Sequence, residues 1–382
     1  MTTADFPIVA PAAPRLFSQH TTARVGGPAG DWIVAENEHD ALDVLQAHPL
    51  PADSVREAGE DTLLVLGGGS NLLVADAGFG GTVLQLAFSG ISAEPVETEA
   101  VEITVAAGHD WDAVVAWTVE RGLTGLEALS GIPGAAGATP VQNVGAYGAE
   151  VSQTLVDARV WDRAEEELVV LSAEQMQFGY RDSVLKRTTV AGSPRYVVLS
   201  VRFRLTHRAG EALSAPVRYA ELARTLGLDP EAPEDQRRAP LQKVRNAVLQ
   251  LRAGKGMVLD EQDHDTWSTG SFFTNPIVPA SAAAQLPPQA PQFPAGTDDD
   301  GEPLVKLSAA WLIDRAGCGR GFGADLVDGR ASLSTKHTLA VTNRGDARTE
   351  DLLTVARAAR DRVRQTFGIT LHPEPVLIGC SL

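Results

Sequence analysis

"LVLGGGSNLLV", Leu64 to Val74, drives a short apolar strand straight into three glycines, followed by a serine and an asparagine. Three glycines let the backbone approach a ligand without interference from Cβ atoms. They also turn successive N–H groups the same way, forming a nest suited to a phosphate or diphosphate. A simple tight turn would use the same residues, and the segment alone leaves the two alternatives open. No Gly-Lys-(Ser/Thr) follows, so it is not a Walker loop. Leu72 stands where a third glycine or alanine is required, so it is not the Rossmann fingerprint either.

Around this stretch the first half of the chain alternates short strands with glycine-rich turns. "LLVL" (63–66), "TVLQLAF" (82–88) and the period-two run Val101–Val105 read as sheet. Asp110 precedes "WDAVVAWTVERG", which places Val114, Val115, Trp117 and Thr118 on one side of a helix capped by the aspartate and stopped by Gly122. Further strands are expected at 155–160, 168–171 and 195–205. The mixture is an α+β fold. A composition break at "HRAGEALSAP" (207–216) marks a domain boundary, and the helix "PLQKVRNAVLQLRAG", ended by Gly254, opens a second region. Residues 279–303 are proline-rich and polar and predict a long surface loop. The last long helix, "TEDLLTVARAARDRVRQTFG", is expected to use Thr349 as N-cap and Gly368 as stop.

At 382 residues the chain predicts two domains of roughly 100–200 residues each. No uninterrupted apolar run approaches the roughly 20 residues of a membrane span. "MTTADFPIVAPAAPR" has no basic start and is broken by Pro7, Pro11 and Pro14, which reads as a mobile arm and makes the cytosol the expected compartment. Cys318 and Cys380 are the only cysteines and form no Cys-x-x-Cys pair, which removes zinc ribbons, thioredoxin-type motifs and disulfide scaffolds. With 32 basic against 49 acidic residues the net charge is −17, which opposes binding to nucleic acid over the surface as a whole. A small anionic ligand remains compatible with a locally positive pocket.

A second glycine run, "LSGIPGAAGATPVQNVGAYGAE" (129–150), is almost free of charge. It cannot bury many side chains and is expected to be extended backbone lying against something flat, such as a large planar cofactor. The alternative is a flexible loop, against which Ile132, Pro133, Pro140, Val141 and Tyr147 argue. Gly319-Arg320-Gly321-Phe322-Gly323-Ala324 fits Gly-x-Gly-x-x-(Gly/Ala), but it follows the helix-like "SAAWLIDRAG" rather than a strand and is discounted.

No His-Glu-x-x-His, metal-spaced carboxylate cluster or Ser-His-Asp signature is present, so hydrolytic and metal chemistry gain no support and no metal is expected. Polar residues concentrate in four islands: "GYRDS" (179–183), "VRYAEL" (217–222), "GSFFTNP" (270–276) and "LHPEPVLIG" (371–379). Arg181 can bind a carboxylate or enolate in two-pronged fashion, or pair with Asp182 at the surface. Glu374 is pinned between two prolines, as a site carboxyl or as an ordinary loop carboxylate. Ser271 lacks the Gly-x-Ser-x-Gly setting of a nucleophile elbow.

Together these islands resemble one family, the UDP-N-acetylenolpyruvoylglucosamine reductases. Six motifs occur in the family's order: "HTTARVGGPA", "LGGGSNLLV", "SGIPGAAGATPVQNVGAYGAE", "GYRDSVLK", "GSFFTNP" and "LHPEPVLIG". The similarity covers residues 15–382. It implies an FAD-binding domain of the vanillyl-alcohol-oxidase (PCMH) type and a smaller α/β substrate-binding domain. The expected division is an arm at 1–14, the FAD domain at 15–206, the substrate domain at 207–368, and a segment at 369–382 that returns to the FAD domain.

The resemblance also implies the chemistry. NADPH reduces FAD, and the enolpyruvyl ether of UDP-N-acetylglucosamine then accepts a hydride and a proton to give UDP-N-acetylmuramate, a peptidoglycan precursor. Gly67, Gly68, Gly69, Ser70 and Asn71 match the family's FAD diphosphate contacts. Gly131, Ile132, Pro133, Gly134, Gly137, Gln142, Asn143, Gly145, Ala146 and Tyr147 match its isoalloxazine contacts. Arg181 and Glu374 match the residues that steady the enolate, and Ser271 matches the proton donor to carbon. Tyr180, Tyr219, Lys255 and Asn275 match contacts to the UDP-sugar, with Tyr219 in "APVRYAEL" pointing to the type that carries a tyrosine-bearing loop. No membrane and no second subunit are expected. "HPE" replaces the more usual Glu-Pro-Glu, and the loop at 280–303 is longer than expected.

Overall fold

The computed structural model describes residues 14–50, 62–190, 192–207 and 212–382. The arm expected at 1–14 lies, but for Pro14, outside the described residues, as do residues 208–211 of the expected boundary. The opening strand Leu63–Leu66 forms the edge of a parallel sheet whose centre is Phe79–Leu86 and whose other edge is Ala29–Ala35. Val83 and Leu84 in the central strand are fully buried, as expected where both faces of a parallel sheet are covered. The helix Glu38–Ala47 packs against this sheet, and the Asn37 side chain caps it by accepting from Asp40 N.

The second sheet is antiparallel throughout, in the order Glu167–Ser172, Leu155–Asp162, Tyr196–His207, Ala100–Ala106, Ile91–Glu97, with Leu123–Thr124 added against Tyr196–His207. Along Tyr196–His207 the side chains of Leu199, Val201, Phe203 and Leu205 are buried, while Arg202 and Arg204 point outward. The alternation seen in the sequence is therefore the alternation of the sheet. Helix Trp111–Glu120 forms as expected, with Asp110 Oδ1 accepting from Ala113 N. Trp111 packs on Phe203 with ring centroids 5.7 Å apart, locking helix to sheet.

Three expectations are corrected. The 129–150 run is not extended: it is a chain of tight turns with short 3-10 pieces at Glu127–Leu129 and Ala136–Ala138. Gly131, Gly134 and Gly148, joined by Asn143 and Tyr147, all take positive φ and bend the backbone repeatedly. The 279–303 segment is not a featureless loop. Ile277–Pro279, Pro303–Leu307 and Gln292–Thr297 form an antiparallel sheet. Its turn is made by Asp298, whose carboxylate accepts from the N–H groups of Asp300 and Glu302, with Gly301 at φ 82°. The third correction concerns helix Thr349–Phe367, whose N-cap is Arg348 rather than Thr349. Its first N–H groups are taken by the Asp76 carboxylate, 2.8 Å from Thr349 N and 3.2 Å from Glu350 N. The Thr349 hydroxyl donates to Val74 O at 2.5 Å. A cap supplied from a distant loop leaves no mark in the local sequence.

The largest core lies between the antiparallel sheet and helix Trp111–Glu120. A second gathers Phe272, Phe273, Leu312, Leu353 and Val355 from the C-terminal half. Two contacts bring the chain end back. Val376–Ile378 pairs in parallel with Leu72–Val74, and residues 372–374 pair with 272–274 through Glu374 N to Phe272 O (2.9 Å) and Thr274 N to His372 O (3.1 Å). Asn71, Ser271 and Glu374 are thereby fixed in one neighbourhood by backbone alone.

Candidate active site

The two glycine runs meet backbone to backbone. A Cβ placed on Gly68 would stand 2.7 Å from the Cα of Gly134, so the first run could not keep this approach with a side chain at position 68. Ser70 Oγ donates to Pro133 O at 2.9 Å and Asn71 Nδ2 to Gln142 Oε1 at 2.8 Å, tying the runs together on either side. They wall a cavity of ≈ 540 Å³, within the roughly 300–1,000 Å³ of ordinary ligand sites. Its bare backbone floor and small side chains fit a flat, elongated group such as FAD.

Gly67 to Asn71, Ile132, Pro133, Gly134, Gly137, Gln142, Gly145, Ala146 and Tyr147 all line this cavity. Gly131 and Asn143 do not; they stand behind the wall and hold it. Gly131 N donates to Asp112 Oδ1 at 2.6 Å and its carbonyl accepts from Arg252 Nε at 3.2 Å. Asn143, 2% exposed at φ 46°, donates to Glu150 Oε2 at 2.9 Å and to Gly179 O at 3.1 Å. Burial opposes ionisation of Asp112, yet the two-pronged Arg245 contact (2.6 and 2.8 Å) and the Gly131 N–H keep its carboxyl below the usual range.

Arg181 does not pair with Asp182, which instead meets Arg187. Its Nε lies 3.0 Å from Glu374 Oε1, its Nη2 donates to Gly145 O at 2.8 Å and its Nη1 to Asn143 O at 3.3 Å. The guanidinium thus bridges the second glycine run and the chain end. Reaching both requires φ 54° at Arg181, a left-handed turn uncommon outside glycine. Burial pushes the Glu374 carboxyl above the usual range, although Arg181 and Lys186 both pull it down. Ser271 lines the same cavity, between Gly270 at φ 75° and the buried Phe272 and Phe273, whose rings pack edge to face at 5.2 Å. Arg181, Ser271 and Glu374 therefore line one cavity, Arg181 and Glu374 in direct contact.

Tyr219 and Lys255 also border the cavity. Lys255 Nζ lies 2.5 Å from Glu221 Oε2 and 5.7 Å above the Tyr147 ring, against which Tyr219 packs edge-on at 5.4 Å. Asn275 and Tyr180 are not among the lining residues. Asn275 Oδ1 accepts from Ala309 N at 2.9 Å, at the start of helix Ala309–Arg315, and the Tyr180 hydroxyl accepts from Asn275 N at 3.4 Å. Sequence reading missed Lys186, Arg252 and His337, which do line the cavity. Arg252 had a signal, since it lies three residues before Lys255 at the end of one helix. His337 had none. Burial, aided by Lys255 and Arg320, pushes His337 from 6.5 down to about 4.

Two family models match the chain: "FAD binding domain" over residues 52–172 and "UDP-N-acetylenolpyruvoylglucosamine reductase, C-terminal domain" over residues 262–378. A UDP-N-acetylenolpyruvoylglucosamine reductase of Saccharopolyspora erythraea is 51% identical over 384 residues, covering 97% of each chain. One from Thermobifida fusca is 48% identical, covering 96% of this chain and 97% of its own. The crystal structure of UDP-N-acetylenolpyruvylglucosamine reductase from Thermus caldophilus superposes with a TM-score of 0.60 at 24% identity, covering 96% of this chain and 98% of that one.

Proposed function

The chain belongs to the UDP-N-acetylenolpyruvoylglucosamine reductase family, and from that premise we propose how its own residues carry out the reaction. It is an FAD-dependent oxidoreductase that uses NADPH to reduce UDP-N-acetylglucosamine enolpyruvate to UDP-N-acetylmuramate. The backbone of Gly67–Asn71 and the 132–147 wall hold FAD, with Gly131 and Asn143 fixing that wall from behind. Bound FAD supplies the hydride transfer that no side chain can perform.

The remaining steps fall to side chains. Tyr219 and Lys255 receive the nucleotide end of the substrate as an aromatic platform and a point charge. Hydride addition to the alkene leaves negative charge at the adjacent carbon and its carboxylate. Arg181, already held by Gly145 O and Asn143 O, meets that charge without moving, which is the advantage of preorganisation. Glu374, its carboxyl raised by burial, is suited to donate a proton in a hydrogen bond rather than to oppose the charge. Ser271 gives its proton to the carbon and is reprotonated from solvent; position compensates for a hydroxyl's weak acidity. Asn275 acts indirectly, by fixing the loop that carries Ser271 to helix Ala309–Arg315. We place the activity in residues 15–206 for FAD and 207–368 for the UDP-sugar, with 369–382 returning Glu374 to the site. The enzyme acts as a monomer in the cytosol. No described helix is long and apolar enough to cross a membrane.

The observation that carries these assignments is the arrival of Arg181, Glu374 and Ser271, from three distant segments, at the lining of one glycine-rich cavity, with Arg181 and Glu374 3.0 Å apart. Anaerobic stopped-flow absorbance tests it. Flavin reduced by NADPH should be reoxidised rapidly by the enolpyruvyl nucleotide. Rapid reoxidation by oxygen with none by the nucleotide would point to an oxidase of the same fold.

A further inference from the structure

Among the described residues, Lys186 is the one cation beside the Arg181–Glu374 pair to which the reaction gives no role. It lines the cavity, yet its side chain is half-buried, and its hydrogen-bond partner among the described residues is the Arg181 carbonyl, 2.9 Å from Nζ. An ammonium is expensive to withdraw from water, so one retained beside another cation needs a compensating function. Burial indeed pulls Lys186 below the usual lysine range, and Arg181 adds to this, while Glu374 and Asp182 oppose it. Its backbone is equally fixed. Ser183 caps the short helix Val184–Arg187 by accepting from Lys186 N at 3.4 Å, and its hydroxyl donates to Val141 O at 2.6 Å.

We propose that Lys186 is a positioning residue for the Arg181–Glu374 pair: its ammonium fastens the left-handed turn that aims the Arg181 guanidinium, and it adds a second cation to the field around Glu374. The turn at Arg181 is a conformation a non-glycine residue avoids unless something holds it. The carbonyl that Lys186 grips is the one belonging to that residue. The charged and titratable groups around Glu374 are Arg181 and Lys186, with Tyr180 on the same turn. Those around Lys186 are Glu374, Asp182 and Arg181, and Asp182 is itself paired with Arg187. Removing Lys186 therefore changes both the aim of the arginine and the proton affinity of the glutamate, and the second effect has a definite sign. With one cation fewer, Glu374 holds its proton to higher pH.

The inference rests on the assignment of Glu374 as a carboxyl acting in its protonated form. The test is the rate of flavin reoxidation by the enolpyruvyl nucleotide as a function of pH, in holoenzyme carrying Lys186→Met, Lys186→Gln, Lys186→Arg or Glu374→Gln. The native enzyme should lose rate on an alkaline limb that Glu374→Gln lacks. Lys186→Met should be slower by on the order of 10- to 100-fold, with that limb moved to higher pH. Lys186→Gln, which keeps a donor for Arg181 O without the charge, should recover most of the rate but keep the moved limb, and Lys186→Arg should restore both. Native rate and limb in Lys186→Met would overturn the inference while leaving the Glu374 assignment intact. An alkaline limb unchanged in Glu374→Gln would overturn that assignment and the inference with it. If Lys186→Met does not fold, the Gln and Arg variants decide: a native limb in Lys186→Gln overturns the inference.

Discussion

Arg181 Nε stands 3.0 Å from Glu374 Oε1, while the other two nitrogens of the same guanidinium reach the carbonyls of Gly145 and Asn143. One planar group thus ties the chain end to the second glycine run. A lysine has the charge but neither the fork nor the plane. Arg181→Lys is therefore expected to slow flavin reoxidation by the enolpyruvyl nucleotide by roughly 100-fold or more, in the range seen when a preorganised charge-stabilising donor is removed. Single-turnover kinetics at saturating nucleotide would show it. A loss confined to KM would mean that the arginine only binds substrate.

The contact between Gly68 and Gly134 makes a second expectation. A methyl group on Gly68 meets backbone at 2.7 Å, which no rotation of a side chain can relieve. Gly68→Ala must push the two runs apart, at a cost of about 1–3 kcal/mol for overpacking, and open the cavity floor. Gel filtration followed by absorbance should find a lowered FAD content and a lowered melting temperature. Full flavin retention would show that this floor is not a cofactor contact.

His337 gives the stability of the protein a specific pH dependence. Its ordinary value near 6.5 falls to about 4 in the folded state through burial and the neighbouring Lys255 and Arg320. The unfolded chain therefore binds the extra proton first, so stability is present above 6.5 and is lost as pH falls toward 4. Over that interval the loss approaches roughly 3 kcal/mol, since each pH unit between the two values is worth about 1.4 kcal/mol. Urea unfolding of the native protein and of His337→Asn should differ in slope against pH within that window, the variant being flatter. Parallel slopes would contradict the buried neutral imidazole.

Asp76 tests the architecture away from the chemistry. Its carboxylate takes the first two N–H groups of helix Thr349–Phe367, so Asp76→Ala should cost about 1–2 kcal/mol, as the loss of an N-cap does. The melting temperature should fall while the turnover of folded enzyme stays native. An unchanged melting temperature would mean that water replaces the carboxylate at no cost.

Much of this was legible in the chain because the signals are local. The strand before Gly67, the helix capped by Asp110 and the alternation before His207 follow from periods of 2 and 3.6 residues and from capping chemistry. Gly67–Asn71 read equally as a tight turn or an anion nest, and their place in the cavity lining follows only from their contact with the second glycine run. The strands at Gln292–Thr297 and Pro303–Leu307 were not legible, because proline content hid a pairing whose turn signal lay in the three aspartates before Gly301. Nor were the jobs of Asp76, Asn275 and His337, each decided by a partner far away in sequence. Lys186 sits within a recognised motif, yet what it grips is a backbone carbonyl, which every residue has. Only the left-handed turn at Arg181 makes that carbonyl matter.

The central claim is that Ser271 supplies the proton to carbon while Arg181 and Glu374 bear the charge. The most direct measurement compares the two half-reactions of Ser271→Ala by anaerobic stopped-flow absorbance. NADPH should reduce the flavin of the variant at a near-native rate, and the enolpyruvyl nucleotide should reoxidise it more slowly by on the order of 100-fold or more, the contribution of a positioned acid. Equal slowing of both half-reactions, or native reoxidation by the nucleotide, would contradict the account.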